Sequence, residues 1–155
     1  MRVLYWALPI AAALAYGVWQ YFAAQVYVGD LPPFDLHLYS FDEARTYLAG
    51  LTPAAKAIYL GPLHQADTVL LLALSATLML PVRRLGWLWC LPALAYAGFD
   101  LLENDFVASL LRNGLHEIGE VAMLGIVTGA KFAALGLAVI LALWGLWRLR
   151  ARGGA

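Results

Sequence analysis

Apolar residues form four long runs along the chain, separated by short polar turns and one longer hydrophilic stretch. A transmembrane helix needs about 20 predominantly apolar residues. We therefore expect an all-α, polytopic membrane protein, folded as an antiparallel bundle of four transmembrane helices in a single domain over residues 1–155. The predicted spans are 3–28, 63–81, 85–112 and 116–148.

The first run resembles a secretory signal peptide at its start, where Met1-Arg2 is followed by apolar residues. A signal peptide has a short apolar core and then a small-x-small cleavage site. This run is too long for such a core, and no convincing cleavage site follows it. We expect the segment to be retained as a transmembrane helix.

The hydrophilic stretch at residues 29–62 is predicted to form a cap of short amphipathic helices on the extracytoplasmic side, between the first two spans. Pro32-Pro33 excludes a helix at its start. Ser40 with Glu43 three residues later is the pattern of a capping box, and Gly50 is a helix stop.

A second short helix is predicted to follow within the same stretch. Thr52-Pro53 has the residue types favoured at the N-cap and at the first helical position. Gly61-Pro62 is predicted to end this helix before the second span begins.

Glycines mark two features of the later spans. Asn113-Gly114 is predicted to end the third helix, since glycine readily takes the backbone conformation of a helix terminus. In the fourth span Gly125, Gly129 and Gly136 would allow another helix to approach closely, or would allow a bend.

The basic residues indicate the orientation in the membrane. Basic residues concentrate in cytoplasmic loops of membrane proteins. We therefore place both termini and the Arg83-Arg84 turn in the cytoplasm and predict a multi-pass protein of the plasma (inner) membrane. The arginines on the predicted cytoplasmic side are Arg2, Arg83, Arg84, Arg148, Arg150 and Arg152.

Composition excludes several classes of function. Ten basic and ten acidic residues give no net charge, and no basic patch is present, so we expect no nucleic-acid partner. Cys90 is the only cysteine, which excludes an internal disulfide, a CxxC redox pair and a thiolate metal site. We expect no cofactor.

Aromatic residues are predicted to form belts at the two membrane surfaces, as tryptophan and tyrosine commonly do. The outer belt contains Trp19, Tyr21 and Tyr27. The cytoplasmic belt contains Trp6, Trp87, Trp89, Trp144 and Trp147.

A layer of polar residues is predicted in the outer half of the bundle. Counting about 20 residues at about 1.5 Å per residue from each cytoplasmic end places Asp67, Asp100 and Lys131 at one depth on three helices. Ionisable residues inside a membrane usually face a partner or a cavity. We expect one outward-facing cluster with Glu103 at its rim. The predicted ligand-binding residues are Gln20, His64, Asp67, Asp100, Glu103, Asn104 and Lys131.

Three functions fit this polar layer. The first is binding of a small molecule or lipid-like ligand. The second is an intramembrane acid–base enzyme acting on a lipid or isoprenoid, with Asp67, Asp100, Glu103 and Lys131 as candidate catalytic residues. The third is a non-catalytic accessory subunit of a membrane complex, in which the charges only order the helices. Membrane lipids are expected partners in each case, and a homo-oligomer or a larger complex stays open.

A metal site has weaker support. His64-x-x-Asp67 and His116-x-x-x-Glu120 each place two ligand types on one helix face. Dimetal sites in helical bundles use Glu-x-x-His pairs, which this chain does not contain. We expect no metal, with His64, His116 and Glu120 as the only candidate ligands.

Overall fold

The computed structural model describes residues 2–153, with side chains described for residues 6–149 and for Ala151. Within this range the chain is helical and contains no β-strand, apart from an isolated bridge between Val28 and Leu31. The side chains of Arg2, Arg150 and Arg152, which contributed to the predicted orientation, lie outside the described residues.

The described chain contains six α-helices joined by turns and short 3₁₀ segments. They are α1 (Arg2–Ala23), α2 (Phe41–Gly50), α3 (Pro53–Ile58), α4 (His64–Val82), α5 (Leu91–Asn113) and α6 (Ile118–Gly153). Two helical stretches of the described chain, Pro53–Leu85 and Ile118–Leu149, are long and apolar enough to cross a membrane.

The predicted helix starts between residues 40 and 53 are confirmed. The Ser40 side chain accepts a hydrogen bond from the Glu43 backbone N–H at 3.3 Å, and Glu43 Oε2 accepts one from the Ser40 backbone N–H at 2.8 Å. Helix α2 ends at Gly50 as predicted. Thr52 caps α3 by accepting a hydrogen bond from the Ala55 backbone N–H at 3.1 Å.

The predicted helix end at Gly61-Pro62 is wrong. The chain passes through a π-helical turn at Tyr59–Leu63 and continues directly into α4. Proline lacks a backbone N–H, and the shifted hydrogen-bond register of a π turn accommodates that missing donor without ending the helix. Helices α3 and α4 therefore form one continuous helical stretch.

Helix α4 is the central element of the packing. It contacts α1, α5 and α6, and α5 packs along α6. Helix α1 contacts α4 through a stripe of buried residues, and in the described chain it makes no comparable contact with α6. A gap is therefore left on one side, between α1 and α6. The buried stripe of α1 and its extension comprises Ala12, Ala15, Trp19, Ala23 and Val26.

The segment between α1 and α4 folds back onto the helix ends through buried aromatic rings. The Phe34 ring lies 4.6 Å from the Tyr39 ring and 5.0 Å from the Tyr47 ring, between centroids. The Tyr47 hydroxyl donates a hydrogen bond to the Val26 carbonyl at 2.7 Å. These contacts bury the inner side of the segment against the ends of the long helices.

The close approach of α6 to α4 occurs at a glycine other than those predicted. A Cβ added at Gly145 would lie 3.0 Å from the carbonyl carbon and oxygen of Pro81, whereas one at Gly125, Gly129 or Gly136 would meet nothing within 4 Å. Of the two roles predicted for those three glycines, close helix packing is therefore wrong.

We expect Gly145→Ala to lower the free energy of unfolding by about 1–3 kcal/mol, because the added methyl group must displace backbone. Gly136→Ala is the matched control on the same helix, where the methyl group has open space. It should raise stability by about 0.5–1 kcal/mol, since alanine favours a helix interior over glycine. Thermal unfolding of both variants in detergent measures the difference in stability. Equal shifts of the unfolding temperature in one direction would contradict the close packing of α6 against α4 at Gly145.

Candidate functional site

A buried ion-pair network joins α5 to α6. Lys131 Nζ lies 3.2 Å from Asp100 Oδ1 and donates a hydrogen bond to Glu103 Oε2. Thr128 Oγ1 donates to the other carboxylate oxygen of Glu103. In each helix the two residues are three positions apart, which places them on the same face.

Helix α4 adds Asp67 to this network. Asn104 Nδ2 donates a hydrogen bond to Asp67 Oδ2 at 2.6 Å. We refer to Asp67, Asp100, Glu103, Asn104 and Lys131 as the charge cluster.

A further carboxyl group reaches the charge cluster from the loop after α1. Asp35 lies on the 3₁₀ turn Phe34–Leu36 and is only 7% exposed. Its Oδ2 lies 3.5 Å from the Tyr59 hydroxyl, which itself accepts a hydrogen bond from the Phe34 backbone N–H at 3.0 Å. Burial raises the pKa of Asp35 to about 7, and the positive charge of Lys131 opposes this only in part.

The charge cluster borders a cavity of about 120 Å³. Its rim is formed by residues that are themselves exposed: Tyr16 on α1, Leu36 on the loop and Phe132 on α6. The cavity therefore opens sideways, in the gap between α1 and α6, beneath the turn that carries Asp35. Its buried lining includes Trp19, Asp35, Asp67, Tyr96, Asp100 and Lys131.

Three buried polar atoms of the cavity-lining residues have no hydrogen-bond partner. They are Trp19 Nε1, Asp35 Oδ1 and Asp100 Oδ2, and the residues Trp19 and Asp100 are 4% and 3% exposed. Leaving such an atom unpaired costs about 1–3 kcal/mol. One donor and two acceptors are thus available to a polar group that enters the cavity.

Comparison with known proteins does not assign the chain to a family. No protein-family model matches it, and no curated protein or solved structure matches it either. The charge cluster and its cavity are therefore the basis of the functional proposal below.

The structure brings five of the seven predicted ligand-binding residues together, as the charge cluster. Glu103 lies at its centre: the residue is 0% exposed, so the predicted position at the rim is wrong. Glu103 is buried because its carboxylate contacts both Lys131 and Thr128, which holds it between α5 and α6.

Gln20 and His64 lie apart from the charge cluster. Gln20 is exposed, and its Nε2 donates a hydrogen bond to the Tyr16 hydroxyl at 2.5 Å, just outside the cavity rim. His64 is half-buried and is not among the residues that line the cavity. Helix rotation, which a count of depth along the chain does not measure, turns both side chains away.

Two residues that the sequence did not indicate belong to the site. Trp19 was predicted to lie in the outer aromatic belt, but it is buried and lines the cavity. Asp35 was placed in a hydrophilic cap, outside the polar layer. No local pattern signals its burial, because that burial depends on the contacts of Tyr59 with Phe34 and Asp35.

The candidate metal ligands at the start of α6 have a different role. Glu120 Oε2 accepts hydrogen bonds from the backbone N–H groups of His116 at 2.8 Å and Glu117 at 3.1 Å, which caps the helix. The His116 ring contacts the Asn113 carbonyl at 2.9 Å. Among the described residues, no three histidine, cysteine or acidic side chains converge as a metal site would require.

Proposed function

We propose that the chain is a multi-pass membrane protein in which α1, α4, α5 and α6 form an antiparallel four-helix bundle. The apolar stretch of α6 supports this, because only 28% of it is buried within the protein. Large apolar side chains project from all four helices, including Leu14, Leu72, Leu94 and Ile140. A surface of this kind needs a cover, and a lipid bilayer supplies one.

We propose the predicted orientation, with both termini in the cytoplasm and the loop carrying Asp35 outside. Its support is the separation of charge between the two ends of the molecule. The guanidinium of Arg148 lies 4.5 Å from the Trp144 ring centroid, and that ring lies 5.1 Å from Trp89, next to the Arg83–Leu85 turn. The buried acids all lie toward the opposite end.

We propose that the protein binds an amphiphile whose polar head enters the cavity and whose chain leaves through the gap between α1 and α6. The observation that carries this proposal is the set of three unpartnered polar atoms on a cavity that opens sideways. A cluster that served only to order helices would be fully paired, as Glu103 is. The apolar rim residues Tyr16, Leu36 and Phe132 suit a hydrocarbon chain.

An intramembrane acid–base enzyme acting on a lipid or isoprenoid is the second candidate. One observation favours it: the carboxyl groups of Asp35, Asp67 and Asp100 line one cavity together with Lys131. Carboxyl groups in different protonation states around one cavity can act as acid and base. Turnover of a bound amphiphile, measured by its chemical change, would distinguish this function from binding alone.

We expect Leu135→Trp to block binding, because the half-buried Leu135 lines the cavity beside Phe132. Native mass spectrometry of the detergent-purified protein, titrated with dodecanol and dodecylamine, measures the fraction with one bound amphiphile. The apparent affinity should fall by about tenfold or more, equivalent to about 1.4 kcal/mol or more.

Leu137→Trp is the matched control, since Leu137 is exposed on the same helix and is not among the residues that line the cavity. It should leave the affinity within about twofold of the unmodified protein, a difference well below 1.4 kcal/mol. Equal effects of the two substitutions, or no saturable binding of either amphiphile, would contradict the proposed function.

A further inference from the structure

We propose that the cavity selects a cationic head group, an alkylammonium, over neutral and anionic ones. This inference rests on the proposed binding of an amphiphile and names the chemistry of its head. It follows from the balance of charge around the cavity, from the two unpartnered carboxylate oxygens and from the aromatic side chains beside them.

The cavity is surrounded by more acids than bases. Lys131 is the only cationic side chain among the residues that line it, and it is already engaged by Glu103 and Asp100. Asp35, Asp67 and Asp100 also line the cavity, so that these three carboxyl groups and Glu103 surround a single cation. A cation entering the cavity would reduce this excess, and an anion would increase it.

The unpartnered atoms also match an ammonium group. Asp35 Oδ1 and Asp100 Oδ2 both accept hydrogen bonds, and both are buried without a donor. An alkylammonium has three N–H donors, whereas an alcohol has one. An ammonium thus has enough donors for both oxygens, whereas an alcohol has a donor for one of them.

Aromatic rings surround the same space. Trp19 and Tyr96 are buried in the lining, and Tyr16 and Phe132 stand at the rim. Cations are attracted to the faces of such rings. The cavity volume of about 120 Å³ suits a small head group and leaves the hydrocarbon chain outside.

The experiment compares four probes with the detergent-purified protein at about pH 8, where Asp35 is mostly ionised and an alkylammonium is still protonated. Dodecylamine, dodecanol and dodecanoate differ in the charge of the head. Butylamine has the same head without the long chain, so it distinguishes a membrane amphiphile from a soluble amine. We expect dodecylamine to bind about tenfold or more tightly than dodecanol, with dodecanoate the weakest of the long-chain probes and butylamine weaker than dodecylamine.

Asp35→Asn should lower the affinity for dodecylamine much more than the affinity for dodecanol, and so should remove most of the preference for the amine. Asp30→Asn is the matched control, because Asp30 is an exposed acid on the same loop. It should leave the preference intact. The selectivity of the unmodified protein tests the inference even where Asp35→Asn fails to fold.

Equal affinities for dodecylamine and dodecanol in the unmodified protein would overturn the inference while leaving the proposed function standing. If Asp35→Asn lowered the affinities for dodecylamine and dodecanol equally, Asp35 would only support the loop. That result would overturn its role in selecting a cationic head group. If butylamine bound as tightly as dodecylamine, the result would support the preference for a cationic head group. It would overturn the proposal that the ligand is an amphiphile. No binding of any long-chain probe would overturn the proposed function itself.

Discussion

Lys131→Met should destabilise the protein by about 3–5 kcal/mol, the cost of breaking a buried ion pair by removing one partner. Lys131 Nζ contacts both Asp100 and Glu103, so the substitution leaves two buried carboxylates without their cation. Thermal unfolding in detergent measures the loss. Lys56→Met is the control for loss of a lysine, since Lys56 is half-buried in α3, outside the charge cluster.

The double variant Lys131→Met/Glu103→Gln should be more stable than Lys131→Met alone and should recover more than half of the loss. Glutamine is neutral and still offers an oxygen to the Thr128 hydroxyl, so the second substitution removes one of the two stranded charges, that of the carboxylate nearer to Lys131, and keeps a hydrogen bond. Residues in contact show such coupling, whereas independent residues give additive effects. Additive losses in this pair would mean that Lys131 and Glu103 do not form the contact on which the charge cluster depends.

Phe34→Ala should have a similarly large effect, about 3–5 kcal/mol for truncating a fully buried phenylalanine. Phe34 is 1% exposed and packs between Tyr39 and Tyr47, and the next residue is Asp35. The substitution should also weaken amphiphile binding, because the turn that closes the cavity loses its anchor. The unfolding temperature measures the loss of stability, and native mass spectrometry with dodecylamine measures the loss of binding.

Leu38→Ala is the control in the same loop, since Leu38 is well exposed. It should change stability by no more than about 0.5 kcal/mol, as most surface substitutions do. A loss in Leu38→Ala as large as that in Phe34→Ala would show that the aromatic contacts do not hold the loop.

Most residues of the charge cluster could be predicted, because their position in apolar runs and their spacing along a helix can be read from the sequence. Asp67, Asp100 and Lys131 lie in apolar runs, where ionisable residues are costly and must find partners. The spacing of Asp100, Glu103 and Asn104 places them on one helix face. These properties follow from local sequence, and the structure shows the same residues in contact.

The cavity and its opening could not be predicted, since they depend on how the helices rotate and pack. Trp19 lies at helical spacing with Ala12, Ala15 and Ala23, and that stripe of small residues was the signal for a buried face of α1. Asp35 depends on a loop that folds back over the bundle through three aromatic rings. Counting residues along each helix gives depth in the membrane and cannot predict such long-range contacts.

The continuous helix through Pro62 shows a second limit of local rules. Proline after glycine normally ends a helix, but a π turn at Tyr59–Leu63 accommodates it here. The continuation matters for the site, because it fixes Tyr59 on the same helical stretch as Asp67. The Tyr59 hydroxyl then holds Asp35 near the charge cluster.

The central claim is that the head of an amphiphile occupies the cavity beside the charge cluster. Photo-crosslinking in lipid nanodiscs tests it most directly, with a twelve-carbon amine and a twelve-carbon alcohol that each carry a diazirine next to the head group. We predict labelling at Trp19, Asp35 and Lys131 that excess unlabelled amphiphile suppresses and that Leu135→Trp reduces. Labelling confined to outward-facing residues such as Leu72 and Ile140, and unaffected by the competitor, would contradict the claim.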